Sequence, residues 1–397
     1  MEKQKWEEKK TSLGNAIIIG AVMAVVGGLI GANWQNWFGG FGPYLGISQS
    51  SNYKMDWSSL DEVYGQLMSS YNGEVPTEVI LDGAKEGMVE ALGDVYTAYM
   101  NAEDSETFYN DLHGNVGSGI GVEMGLRDGY VRVLRVLPDN PALKAGIMVG
   151  DIIYKVNGEE VYALSSEEIS QRIRGDAGTE VTVTVAREGE ELSFTMTREA
   201  INNVSAYVEY DGSTAIITVT RFDNDTGKKI QEMANEFAAK GINKVILDLR
   251  GNGGGYVSAA QDLLSLWLDG QKILVQKSKH YGNTTMSTSS GKAVLKDMET
   301  VVLVNASSAS ASEIVAGALQ DYGKATILGE KTYGKGVVQT LLNLSDGATL
   351  KVTTADWYTP NDRSINNEGI TPDVEVKLTY EDINMMRDPQ MEAAKDL

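Results

Sequence analysis

Cysteine is absent from the 397 residues, and histidine occurs only twice, at His113 and His280. The first absence excludes thiol chemistry, and it suits a secreted or surface protein that makes no disulfides. The second leaves any hydroxyl nucleophile short of its usual base, since neither histidine lies in a glycine-rich or otherwise site-like setting. Basic residues are outnumbered, 34 against 55 acidic, for a formal charge of −21. A phosphate backbone needs a basic surface, so nucleic acid is not an expected partner; the acidity is a solubility feature.

Long uncharged runs are scarce as well, and one stands out near the N-terminus. Leu13 to Ala32 carries no charge over about 20 residues, which as a helix spans roughly 30 Å, the hydrocarbon thickness of a bilayer. Trp34 and Trp37 follow where interfacial aromatics belong, and Lys3, Lys5, Lys9 and Lys10 precede it. That asymmetry predicts a single-pass anchor with residues 1–12 cytoplasmic and the rest of the chain outside the cell membrane. A cleaved signal peptide usually has a shorter apolar core, and Ile30-Gly31-Ala32 is a poor small-x-small cleavage site. Residues 33–54 read as a tether.

The densest chemical signal runs from Asn305 to Gln339. Small hydroxyl residues stand at the mouth of a helical run, and Lys335 is held between Gly334 and Gly336. With thiols excluded and histidine unplaced, lysine is the base that remains for a serine nucleophile. Gly329 to Lys335 also fits the start of a phosphate-binding loop. However, Gly336 stands where that loop needs Ser or Thr, and 337–342 reads as a strand where it needs a helix.

Asn305-Ala-Ser-Ser-Ala-Ser310-Ala-Ser-Glu-Ile, then Ala-Gly-Ala-Leu-Gln-Asp321, then Gly-Glu-Lys-Thr-Tyr-Gly-Lys335-Gly-Val-Val-Gln339 resembles the C-terminal processing peptidases, or tail-specific proteases. The resemblance implies a serine endopeptidase with Ser310 as nucleophile, Lys335 as base and Gln339 orienting the lysine amine. Asp321 falls where some members have a functionally important aspartate, or it simply pairs with a nearby cation. No metal or cofactor is called for.

The rest of the chain fits the same family, over some 340 residues. Residues 55–114 read as a helical segment, with Leu60, Val63, Tyr64 and Leu67 at helical spacing and a second helix opening at Val79. Gly93-Asp94-Val95-Tyr96-Thr97-Ala98-Tyr99-Met100 resembles the family's N-terminal segment, with Val95 where the family commonly has proline. Residues 115–198 carry short β-runs over 131–136, 152–156, 181–185 and 192–196, separated by Gly, Asp and Asn turns. Gly117-Ser-Gly119-Ile120-Gly121-Val122, then Pro141 to Ile147 and Gly150 to Gly158, resembles a PDZ domain. Backbone N–H groups of Gly119, Ile120, Gly121 and Val122 are then expected to hold a peptide's terminal carboxylate, against a helix starting near Ser165 or Ser166. Arg174, at the end of that helix, resembles a residue used for switching in relatives. Residues 199–397 alternate strand and helix, an α/β core that resembles the family's crotonase-like peptidase domain.

Within that core the first-turn N–H groups of the helix after Ser310 face any anion placed before them, making Ala311 an oxyanion donor. A second donor is expected from Gly251-Asn252-Gly253-Gly254-Gly255, where the family has proline at Gly253; Gly254 and Gly255 are both candidates. A free lysine has a pKa of about 10.4, and disfavouring its charged form by roughly 4 kcal/mol through burial makes it a neutral base. The expected architecture is multidomain α/β: anchor, helical segment, β-rich PDZ domain and peptidase core. Its expected partners are proteins or peptides with exposed apolar C-termini, the membrane through residues 13–32, and a second copy in a homodimer. A catalytically silent PDZ scaffold is the alternative.

Overall fold

The computed structural model describes residues 56–397 except Val116, Asp128, Asn202, Tyr380, Ile383, Asn384 and Met386. The expected cytoplasmic segment, anchor and tether lie outside the described residues. No helix among the described residues is long and apolar enough to cross a membrane. The chain divides into two compact units, 1–77 and 78–397. In the first, the helix Ser58–Ser70 carries the apolar spacing of Leu60, Val63 and Leu67, all exposed.

The helix Thr77–Glu90 starts at the boundary residue, and the second unit continues with a short strand Ala98–Met100 and the helix Ala102–His113. Asn101 caps the last of these by accepting from the Asp104 N–H, and Gly114 ends it in the left-handed conformation.

A five-strand antiparallel path follows: Val122–Arg127, Tyr130–Val136, Ile152–Val156, Glu180–Arg187 and Glu190–Thr197. Alternation decides which face is inside: Val131 and Val133 point into the same small core as Val181, Val183 and Val185. The helix Ser166–Ile173 closes that core through Ile169 and Ile173. Its start is fixed by a capping box in which Ser165 accepts from the Glu168 N–H and the Glu168 carboxylate accepts from the Ser165 N–H. Val122–Arg127 stands at the end of that strand order.

The larger core is a six-stranded sheet. Ala206–Asp211 pairs antiparallel with Thr214–Val219; Lys244–Asp248, Glu299–Val304, Thr326–Gly329 and Val374–Glu375 then add in parallel. Lys244–Asp248 is buried along its whole length, as its unbroken apolar centre requires of a parallel strand covered on both faces. The helices Thr226–Asn235, Val257–Leu264 and Ala311–Asp321 share the large apolar cluster on one face. The helix Pro389–Asp396 covers the other, where Ala394 meets Ile246, Leu303 and Leu328. A second sheet joins Ala98–Met100, Thr349–Tyr358, Lys272–Ser278 and Gly282–Ser287, with Val337–Asn343 also paired to Thr349–Tyr358.

Candidate active site

In an open parallel sheet, ligands bind beyond the carboxyl ends of the strands. Here those ends deliver the predicted residues: Asn252 and the glycines follow Lys244–Asp248, Ser310 follows Glu299–Val304, and Lys335 follows Thr326–Gly329.

Ser310 precedes the helix Ala311–Asp321 with φ 55° and ψ −113°, a conformation that costs a non-glycine residue energy. Its neighbours explain how it is held. The buried Glu313 carboxylate accepts from the Ser310 N–H at 2.9 Å, the Lys335 N–H at 2.9 Å, the Gly334 N–H at 2.6 Å and the Thr332 hydroxyl at 2.6 Å. One oxygen, Oε2, serves both Ser310 and Lys335, so a single carboxylate fixes both backbones. Tyr333 N–H also donates to the Ser308 carbonyl at 3.0 Å. Glu313 is a residue the motif reading passed over, although Ser310-x-x-Glu313 has the spacing of a capping box.

Lys335 is half-buried, and burial lowers its amine from the usual 10.5; Lys351 lowers it further, while Glu313 opposes both. Its Nζ donates to Gln339 Oε1 at 2.6 Å and lies 5.4 Å from the centre of the Tyr96 ring. Lys335 Nζ makes no hydrogen bond to Ser310. Gln339 stands at a register shift between Val338 and Gln339, opposite Thr353. Its Nε2 donates to the Tyr96 carbonyl.

The Ala311 N–H makes no hydrogen bond within the described residues and points from the first turn of its helix. Gly254 packs against it: a Cβ there would lie 2.8 Å from Ser310 Cβ and 3.1 Å from the Ala311 nitrogen, so only glycine fits. The Gly254 N–H donates to Asn252 Oδ1 at 2.8 Å in this conformation. Asn252 is wholly buried and donates in turn to the Val219 carbonyl.

The remaining predicted residues fall in two other places. Gly119, Ile120, Gly121 and Val122 line a cavity of about 380 Å³ with Ser166, Ser170 and Arg174, and Gly251 of the glycine loop shares that cavity. Asp321 lies at the far end of its helix from Ser310; it is paired with Arg363 and accepts from the Asn361 N–H at 2.8 Å.

Comparison with known proteins places this arrangement. Residues 213–376 match the model of peptidase family S41, residues 118–197 that of the PDZ domain, and residues 46–104 that of the activating protease CtpB N-terminal domain. A probable CtpA-like serine protease of Staphylococcus saprophyticus is 34% identical over 350 residues, covering 86% of this chain and 71% of that protein. One from Staphylococcus aureus is 36% identical over 350 residues, covering 86% and 70%. Among solved structures, the photosystem II D1 C-terminal processing protease has a TM-score of 0.55 at 28% identity, covering 81% of this chain and 87% of that one. A putative S41 protease from Bacteroides fragilis shares the fold with a TM-score of 0.58 at 17% identity, covering 88% and 98%.

Fold and comparisons together define a serine peptidase that carries a PDZ domain and acts on peptides or proteins. The chain belongs to peptidase family S41, among its CtpA-like proteases of the C-terminal processing type.

Proposed function

We propose that the chain is a membrane-anchored, extracytoplasmic endopeptidase that works through a Ser310–Lys335 dyad and selects substrates by their C-terminal tails. The observation that carries this reading is the half-buried Lys335 amine, lowered in basicity and hydrogen-bonded to Gln339 at 2.6 Å, on a loop that shares Glu313 with Ser310. Neutral Lys335 takes the Ser310 hydroxyl proton as Oγ attacks the peptide carbonyl carbon. The oxyanion accepts from the Ala311 N–H and from a second N–H of the glycine loop. Collapse breaks the C–N bond, the lysine ammonium returns the proton to the departing amine, and the acyl group stays on Ser310. Water, deprotonated by Lys335, then releases the new carboxylate and restores the serine.

Gly254 spends its N–H on Asn252, and Lys335 has no hydrogen bond to Ser310. Both favour a resting form that tightens when substrate enters. The place of Val122–Arg127 at the end of its sheet and the cavity beside Gly119 to Val122 suit an added strand that ends in an apolar residue and a carboxylate. Residues 13–32 are the proposed anchor, with residues 33–54 as tether and the catalytic part outside the cell membrane; a homodimer is the proposed assembly.

The test uses the full chain in detergent micelles with an unfolded protein ending in an apolar tail, alongside Ser310→Ala and Lys335→Ala. Cleavage by the parent and a loss of at least about 1,000-fold in both variants is expected. Undiminished cleavage by either variant sinks the dyad. Tail binding without cleavage by the parent leaves the scaffold reading in its place.

A further inference from the structure

The base-orienting amide of Gln339 reaches outside the peptidase core for its second partner. A glutamine amide has one accepting end and one donating end, and the two look alike in shape. Flipped, it would offer N–H groups to Lys335, and the amine would have to answer with the lone pair needed for the Ser310 proton. The contact that prevents this is the Tyr96 carbonyl, which accepts from Gln339 Nε2 and so turns Oε1 toward Lys335 Nζ. We propose that Tyr96, on the segment before the PDZ domain, is a positioning residue for the catalytic base, held in place by Asp94 and Thr97. The proposal rests on the Ser310–Lys335 reading.

The geometry of that segment supports it. Asp94 accepts from the Tyr96 N–H at 3.1 Å and from the Thr97 hydroxyl at 2.6 Å. The Thr97 hydroxyl oxygen accepts from the Thr353 N–H at 3.0 Å, and Thr353 is the cross-strand partner of Gln339. The next residues, Ala98–Met100, pair antiparallel with Lys351, Leu350 and Thr349. The turn is therefore stitched to the strand opposite the base directly after Tyr96, and Asp94 ties its near side to Tyr96 and Thr97. The Tyr96 ring also shields the amine, with its centre 5.4 Å from Nζ. Position 95 is valine, whose φ is not locked as a proline's would be, and the residue is 88% exposed. The shape of the turn consequently depends on Asp94.

The test measures kcat, KM and their pH dependence for the full chain in micelles, with a fluorogenic peptide ending in an apolar tail. Asp94→Ala and Thr97→Val are each expected to lower kcat on the order of 10- to 100-fold with little change in KM. Thr97→Ser, which keeps the hydroxyl, is expected to recover most of that loss. Loosening the turn admits water around Lys335, so the rising limb of the kcat profile moves to higher pH. If Asp94 acts through Gln339, the double variant Asp94→Ala/Gln339→Ala falls no further than Gln339→Ala alone. Additive losses with an unmoved pH limb would overturn the proposal, leaving Asp94 and Thr97 as ordinary stabilising residues. Activity retained in Ser310→Ala or Lys335→Ala would instead overturn the dyad beneath it, which is a separate outcome.

Discussion

A lysine amine is a base only while neutral, and what surrounds Lys335 favours that form. Burial acts first and the like charge of Lys351 second, against the opposing carboxylate of Glu313. Glu313 cannot simply be removed, because it accepts four hydrogen bonds that tie Ser310 to the lysine loop. Lys351 can be altered more safely; it sits in the strand Thr349–Tyr358 with its amine 5.8 Å from the Phe108 ring. On the proposed mechanism, activity rises with pH as Lys335 loses its proton. Lys351→Met removes a charge that disfavours the ammonium, so the rising limb of kcat/KM should move to higher pH and Lys351→Glu should move it further. An unmoved limb would leave burial as the whole cause. Ser310, Lys335 and Gln339 were legible because their spacing along the chain is itself the motif. Tyr96 was not, since it acts through a backbone carbonyl on a residue 243 positions away, and carbonyls have no sequence signature. Asn252 was seen only as part of a glycine loop, although its side chain decides where the Gly254 N–H points.

Elements with strong periodicity came through from the sequence, and those that depend on their neighbours did not. The β-runs at 131–136 and 181–185 are two inner strands, and the helix expected near Ser165 or Ser166 runs over Ser166–Ile173 behind its capping box. Gly282–Ser287 is polar and largely exposed, so nothing in its composition announces a strand; pairing with Lys272–Ser278 makes it one. The helix Thr226–Asn235 goes no further because Glu236 to Gly241 close in turns that feed the next strand. The strand Val122–Arg127 with its glycine turn is where an element makes a functional prediction. Gly121 has φ +80°, and a Cβ there would lie 2.2 Å from the Asn140 side chain. Gly121→Ala should therefore distort the turn and weaken binding of an apolar-tailed peptide by at least about tenfold, near 1.4 kcal/mol. Amidating the peptide's C-terminus should cost the parent protein a similar factor, read by fluorescence anisotropy. Equal affinity for the free and amidated tails would place recognition elsewhere.

At the scale of the second unit, two apolar cores are built separately. Ile120, Val131 and Val183 belong to one apolar cluster, and Ile217, Leu247 and Leu319 to another. Arg135 links them by donating to the Arg250 carbonyl at 2.7 Å, at the start of the glycine loop. Arg250 in turn anchors the peptidase side. It pairs with Asp248 through Nε at 3.0 Å and Nη2 at 2.7 Å, and its Nη1 reaches Asp388 at 2.9 Å and Gln390 at 3.0 Å. Burial alone would lower this guanidinium, but Asp248 and Asp388 hold it well above its usual value. Asp388 also caps the helix Pro389–Asp396, so one arginine pins the terminal helix to the strand that leads into the active site. Removing a buried partner from such a network costs about 3–5 kcal/mol. Arg250→Met should lower the unfolding free energy of the peptidase core, read from its urea transition, by that amount while leaving the PDZ cluster's transition in place, followed separately by hydrogen exchange. Asp388→Asn should cost less, and in a pH-dependent way. Burial raises the Asp388 carboxyl, but Arg250 and the helix N–H groups outweigh it and depress the folded-state value below 3.8. Its contribution is therefore complete above the unfolded value and lost as pH falls through the folded one, so parent and Asp388→Asn should converge in strong acid. If both transitions fall together in Arg250→Met, the two cores unfold as one body, and the contact from Arg135 to the glycine loop joins them more tightly than a single hydrogen bond implies.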